Sequence, residues 1–415
     1  MKILFLAHRT PFPPNKGEKI RAYHILAQLV KRHSVSMAYW VDSLDDIEHV
    51  NVLRKLCQGA VVPIYLNSSG SMLRAMRNLF QGRSFSEGYF YSTKFQSSVD
   101  RLIKNEQYDL VYAFSSVMGQ FVMGFHDIPT IVDFVDVDSD KWGQLASFKR
   151  FPLSSLYLLE QTRLSRYEEM LSRWARCNLF VSQTEADLFK KLGGGGSIAV
   201  LPNGVDSDLR RLPQRVMNSR NIAETRPVVR LLFVGTMNYY PNMDAVLYFV
   251  REVLPLIQKK YPQAMFEIVG RFPPYSVRKL DGVGGVRVLG EVVDVRSYLV
   301  RADVSVAPMR IARGVQNKVL EAMAVGVPVV ATSEAVKGIQ LIKGDEVLIG
   351  DAPQDFAAQV IRVLSDNALY EQIVSKARSR VVESYSWKAI GVQLSDIILD
   401  YGKNVSREMA QSRSG

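Results

Sequence analysis

The chain reads as α/β, with two tandem Rossmann-like, doubly wound domains, each a parallel sheet covered by helices. Three observations predict this. Short apolar runs alternate with longer stretches of helical spacing along nearly the whole length. One stretch, 206–228, drops the alternation and gains Arg, Asn, Ser and Pro. The 415 residues, 47% hydrophobic and 22% charged, have an ordinary globular composition and enough length for two cores.

The first series places strands at Lys2–Ala7, Val35–Val41, Val61–Leu66, Leu110–Phe114, Thr130–Phe134, Asn178–Ser182 and Ala199–Leu201. Each is a β-branched or aromatic run short enough to be buried on both faces. Helical patterns fall between them, at Ile20–Lys31, Arg54–Gln58 and Leu156–Ala175. The second series places strands at Arg230–Val234, Met265–Val269, Val286–Leu289, Val304–Ala307 and Val327–Ala331. Its helices are expected at Met243–Lys260, Val293–Arg301, Lys318–Val325, Pro353–Leu364 and Leu369–Tyr385. The domains are therefore expected at 1–205 and 229–386, joined by a linker at 206–228. A closing helix at 387–402 is expected to cross back to the first domain, and a tail at 403–415 to be disordered. Ligands of open α/β sheets bind beyond the carboxyl ends of the strands, so the cleft between two such domains is the expected site.

Several function classes are excluded. The net charge is +11 but spread over both halves, with no basic tail or stripe, which argues against nucleic acid as a partner. No apolar run approaches the roughly 20 residues that span a bilayer. The opening "MKILFLAHRTPFPP" is too short in its apolar part for a signal peptide and suits a buried first strand. Cys57 and Cys177 form no disulfide framework or metal spacing, which fits a cytoplasmic protein. Neither first strand leads into GxGxxG, and no Walker motif is present, so a dinucleotide enzyme or a P-loop ATPase is not indicated.

The chemistry concentrates in "VSVAPMRIARGVQNKVLEAM" (304–323), a strand, loop and helix start. Arg310, Arg313 and Lys318 crowd the positive end of a helix, an unfavourable arrangement unless an anion sits among them. A helix N-terminus beyond a strand is a natural phosphate site. Gly314 allows close backbone approach, while Gln316 and Asn317 offer amides. Glu321, three residues past Lys318, is placed to accept hydrogen bonds from a diol such as ribose. The bland alternative pairs Glu321 with Lys318 on a solvated face, worth a few tenths of a kcal/mol, and leaves the three cations unexplained.

"NKVLEAMAVGVPVVAT" resembles the donor-site signature of the retaining family 4 glycosyltransferases, which have the GT-B fold. Supporting pieces follow in order: "PPNKGEKIRAYHILAQL" (13–29), "LPNGVD" (201–206), "LLFVGTMNYYPNMDAV" (231–246), "FEIVGR" (266–271) and "VRVLGEVVDVRSYLVRADVSVAPMR" (286–310). Within the family the chain is similar to bacterial sugar transferases associated with exopolysaccharide and exosortase systems. The resemblance implies that the second domain binds a nucleotide diphosphate sugar, with Glu321 on the ribose. It also implies no cofactor and no obligatory metal. Two departures stand out. The family's first signature glutamate is replaced by Arg313, and its Arg/Lys pair after the first donor-domain strand is absent. Gly235, Thr236 and Asn238 stand there, followed by Pro241 and Asn242. Arg313, Lys318 and Arg271 are the expected replacements for the missing positive charge.

On the acceptor side, Lys16, Gly17 and Arg21 open a basic helix start where a phosphate of a lipid-linked acceptor could sit. A solvated lysine-rich loop is the alternative. "TIVDFVDVDSDKW" puts Asp133, Asp136, Asp138 and Asp140 at a strand end. It lacks the glycine and glutamate of a calcium loop, so no metal is expected there. Asp136 is the candidate for positioning the acceptor hydroxyl. With the leaving phosphate taking the proton, Asp136, Arg313 and Lys318 form the expected catalytic set. "SMLRAMRNLFQGRSF" (71–85) carries an apolar stripe with Arg74, Arg77 and Arg83 outside it. Such a stripe usually faces a core, and it also suits an anionic membrane surface at the inner face of the plasma membrane. The expected partners are thus a nucleotide-sugar donor, a glycan or lipid-linked acceptor and an anionic membrane. The competing function is a non-catalytic, nucleotide-sugar-binding scaffold of polysaccharide assembly.

Overall fold

The computed structural model describes residues 1–14, 17–43, 45–147, 149–206, 228–312 and 314–412, with the backbone alone given for Asp45 and 402–412. The chain divides into two compact units, Met1–Pro202 with Gly391–Gly415, and Asn203–Ile390.

The first unit is a parallel sheet in the order β3-β2-β1-β4-β5-β6-β7. The strands are β1 (Lys2–Ala7), β2 (Ser34–Val41), β3 (Val61–Tyr65), β4 (Leu110–Phe114), β5 (Thr130–Val135), β6 (Cys177–Phe180) and β7 (Ile198–Val200). Central strands are buried along their whole length, as in LVYAF of β4, because helices cover both faces. The second unit has the order β10-β9-β8-β11-β12-β13, again all parallel among the described pairs. Its strands are β8 (Arg230–Val234), β9 (Met265–Val269), β10 (Val286–Gly290), β11 (Val304–Ala307), β12 (Val329–Ala331) and β13 (Leu348–Ile349). The strand order reverses between β1 and β4 in one sheet and between β8 and β11 in the other. These are the topological switch points, where loops diverge and open a crevice.

The structure departs from expectation in places with clear causes. β12 starts two residues late because Pro328 has no N–H for the ladder. The helix expected over Met243–Lys260 runs from Tyr240 and passes through a π-turn at Phe249–Val253, next to Pro255, which cannot donate to the preceding turn. The helix Ser68–Phe80 holds most of the helical stripe read over 71–85, whereas the helices at Thr93–Asn105 and Asp138–Ser147 and the two-residue β13 have no counterpart in the sequence reading. The last helix runs over Trp387–Ser412, ten residues past the expected boundary, and from Gly391 onward it belongs to the first unit. The disordered tail expected at 403–415 is corrected up to Ser412, since Arg407, Glu408, Met409 and Ala410 are good helix formers. Of the linker, 207–227 lie outside the described residues.

Candidate functional site

The second sheet's switch point carries the candidate site. β8 leads into the turn at 235–239, and β11 into the loop at 308–316 and the helix Asn317–Val325. The two sides meet through Lys318. Its ammonium donates to Asn242 Oδ1 at 2.6 Å and lies 4.3 Å from the centroid of the Phe233 ring. The same Asn242 donates through Nδ2 to the carbonyl of Thr236 at 3.0 Å, so one amide holds both the turn and the lysine. Gly235 is required because a Cβ there would lie 2.8 Å from Asn242 Nδ2. Gly270 is required too, since its Cβ would lie 1.7 Å from the Gly235 carbonyl oxygen. This packing leaves Thr236 and Asn238 exposed at the turn.

Lys318 and Glu321 are largely shielded side chains on one helix turn. Burial pushes the Lys318 amine down to about 7, against the pull of Glu321. Burial pushes the Glu321 carboxyl up to about 7, against the pull of Lys318. Among the described residues nothing hydrogen-bonds to the Glu321 carboxylate. Asn317, the first helical residue, has a buried Oδ1 with no partner. A helix start carrying a desolvated amine, an unengaged carboxylate and an orphaned amide oxygen is organised to meet polar groups from outside the chain. Gln316 is the half-buried N-cap residue, and its side chain makes no cap bond. Gly314 sits at φ 60, a left-handed conformation that favours glycine, and so lets the loop turn toward the helix.

One of the crowding cations, Arg310, and the neighbouring Arg271 are accounted for within the protein. Arg310 is held by Asp244 through Nε at 3.0 Å and Nη2 at 2.5 Å, and its guanidinium stacks 4.9 Å from the Tyr248 ring centroid. Arg271 is paired with Glu291 at 2.9 Å on a partly exposed surface. Arg313 lies outside the described residues. Among the described residues Lys318 makes no ion pair, although its ammonium is held by Asn242.

The first unit corrects one expectation outright. Arg21 is not available to an acceptor phosphate. It is 1% exposed, and its guanidinium donates to Asp133 at 3.0 Å and to the Leu201 carbonyl at 2.8 Å. Tyr112 adds a 2.7 Å hydroxyl bond to the same carboxylate. This buried network ties the helix Gly17–Leu29 to β4, β5 and the segment after β7. Lys19, equally basic in sequence, is buried on Asp46 at 2.9 Å. Gly17 opens the helix in open space, and Lys16 lies outside the described residues.

Asp136 is placed by strained backbone. Val135 has φ 67, rare for a β-branched residue, and the Asp136 N–H reaches back to the Phe134 carbonyl at 2.8 Å in a γ-turn. Asp136 and Asp138 share Lys141, at 3.1 and 2.8 Å. Burial works to lower the Lys141 amine, yet the two aspartates hold it above its ordinary value. Asp133 is committed to Arg21, so these acids do not converge as a metal set. No group of three potential metal ligands of the His, Cys, Asp and Glu type occurs among the described residues.

Comparisons with known proteins give the family and the fold. Residues 21–209 match the family model described as "Glycosyltransferase Family 4". Residues 228–366 match that of "Glycosyl transferases group 1", and together the two cover well over half of the chain. The chain belongs to this glycosyltransferase family. Solved structures share its GT-B fold across both units. Sucrose-phosphate synthase from Thermosynechococcus elongatus is 18% identical, with a TM-score of 0.66 over 96% of this chain and 99% of that one. Anabaena HepE in complex with UDP is 16% identical, with a TM-score of 0.67 over 96% and 100%. TarM is 10% identical, with a TM-score of 0.63 over 97% and 98%. No curated protein sequence matches. No helix among the described residues is long and apolar enough to cross a membrane.

Sequence reading named Asn242 without giving it a role, and missed the Asp244–Arg310 pair and the strained turn at Val135. Only Asn242 left a signal. Pro241 opens a helix directly after the strand and turn, which puts the following polar side chain at the strand's carboxyl end.

Proposed function

We propose that this glycosyltransferase takes its sugar from a nucleotide diphosphate donor seated at the start of the helix Asn317–Val325, and transfers it with retention of anomeric configuration. The observation that carries the reading is the Lys318–Glu321 pair, an amine and a carboxyl whose ordinary charges are both disfavoured until polar groups arrive. The diphosphate supplies a counter-charge to Lys318 and, we propose, to Arg313. The ribose hydroxyls donate to Glu321. The turn with Gly235, Thr236 and Asn238 lies across the switch point from them, and Asn317 and Gln316 add amide contacts.

In the reaction, the bond from the anomeric carbon to the phosphate oxygen breaks as the acceptor oxygen forms its bond on the same face. The acceptor's proton passes to the leaving phosphate. Catalysis then rests on positioning and on stabilising the leaving charge, and Asp136 orients the acceptor hydroxyl. The acceptor in this reading is a glycan or lipid-linked glycan of cell-surface or exopolysaccharide assembly. The protein works without a metal, in contact with an anionic membrane surface through residues 71–85.

Nucleotide release from UDP-, GDP- and ADP-sugars tests this, with UDP first because HepE, of similar fold, has been crystallised with UDP and UDP-glucose. One donor should be turned over, EDTA should leave the rate unchanged, and Arg313→Ala should raise the donor KM and lower kcat. Tight UDP binding with no turnover of any donor would instead make the chain a binding scaffold.

A further inference from the structure

The helix Ser68–Phe80 is turned the opposite way from a core helix. Its buried positions are the small residues Ser71 and Ala75. Its large apolar residues face outward, with Leu73 at 74% and Phe80 at 88% exposure, beside exposed Met72 and Met76. The helical hairpin of Asp138–Ser147 and Leu153–Trp174 shows the same inversion near its tip. Phe151 is 82% exposed there, and Leu145, Leu153, Leu156 and Leu159 are exposed as well. Isolated surface leucines need no account, but two neighbouring elements doing this together do.

Between these elements lies a groove with a cavity volume of about 160 Å³. Its lining joins Met76 and Leu79 of the first helix to Trp142, Leu156 and Tyr157 of the hairpin, with Phe85 beside them. That is the size of an apolar cavity that admits benzene, and it accommodates a short run of methylenes. The single acid in the lining, Glu160, is turned away from the opening. Its carboxylate accepts from Ser84 Oγ at 2.8 Å and from the backbone N–H groups of Phe85 and Ser86. The groove therefore has nothing to offer a polar ligand. Arg77 and Arg83, which flank the lining residues Met76, Leu79 and Phe85 in sequence, and Lys149 and Arg150, between the two hairpin helices, are exposed and make no ion pair among the described residues. Apolar surface with a basic rim matches an anionic lipid surface.

We propose that this groove receives a hydrocarbon chain of an anionic phospholipid when the face formed by residues 68–80, 138–147 and 149–159 lies on a bilayer. The proposal rests on the membrane contact suggested above and adds a specific chain site to it. The chain packs between Met76, Leu79, Leu156 and the Trp142 ring, while its phosphate lies among the arginines.

The test uses the full chain with vesicles of phosphatidylcholine alone or mixed with phosphatidylglycerol, the latter also with brominated acyl chains. Flotation should occur with the anionic vesicles and fall at least tenfold without them. Brominated lipid should quench tryptophan fluorescence, and Trp142→Phe should remove most of that quenching without changing flotation. Leu73→Glu with Phe80→Glu, both at exposed positions, should abolish flotation and leave nucleotide release in solution intact. Flotation without Trp142 quenching would overturn the chain site and keep the membrane contact. Absence of flotation would overturn both, and a stable dimer that fails to float would assign this face to a second copy.

Discussion

Replacing Glu321 with glutamine should stabilise the protein while it weakens the donor site. The Glu321 carboxyl is lifted from its ordinary 4.5 to about 7, chiefly by burial. At about 1.4 kcal/mol per pH unit, holding it ionised in the fold costs up to about 3 kcal/mol at pH 8. The side chain keeps some solvent contact and the glutamine amide is itself desolvated at this position, so about 1–2 kcal/mol should be recovered in Glu321→Gln. The sign follows from a folded pKa above the unfolded one. The cost is absent below pH 4.5, where both states are protonated. It grows between pH 4.5 and 7 and is complete above about 7. Urea denaturation at pH 8 should therefore show the variant more stable, with the difference shrinking to a few tenths of a kcal/mol near pH 5. The same variant should raise the donor KM at least tenfold, about 1.4 kcal/mol, because a carboxylate accepting from a diol is replaced by a weaker, mixed partner. A variant less stable than the parent at pH 8, or equally stabilised at both pH values, would refute the claim that this carboxyl is held against its preference.

Asp133→Asn should cost about 3–5 kcal/mol in urea denaturation, because it strands the Arg21 charge in a fully buried network, and any residual folded fraction should keep its donor KM. Donor binding at pH 7.5–8 should take up a fraction of a proton, since Lys318, held down to about 7, recharges against a diphosphate. Calorimetry in buffers of different ionisation enthalpy measures this, and affinity should fall as the pH rises above 7. Val135→Gly should gain about 1 kcal/mol by removing a β-branched residue from φ 67, seen as a rise of a few degrees in melting temperature.

The alternation of apolar runs with helical patterns made most of the fold legible. Parallel strands covered on both faces must be apolar throughout, so the strand positions are written locally. The helix start at Asn317 with Lys318 and Glu321 was legible for the same reason, as a local pattern of charge against a helix dipole. What the basic residues do was not legible. Lys16, Lys19 and Arg21 present one basic helix start in sequence, yet Lys19 and Arg21 are buried, Arg21 on a carboxylate 112 residues away. Arg310 and Lys318 stand in one loop-and-helix segment, yet Arg310 finds Asp244 and Lys318 finds Asn242, both from the far side of the switch point. The stripe at 72–80 has a helical period whichever way it faces, and only packing against Ser71 and Ala75 turns it outward. Sequence determined which segments become strands and helices, because periodicity is a property of neighbours along the chain. Tertiary structure decided which charges are spent inside the fold and which remain for a ligand, because a charge is neutralised by whatever lies within a few ångströms, however distant in sequence.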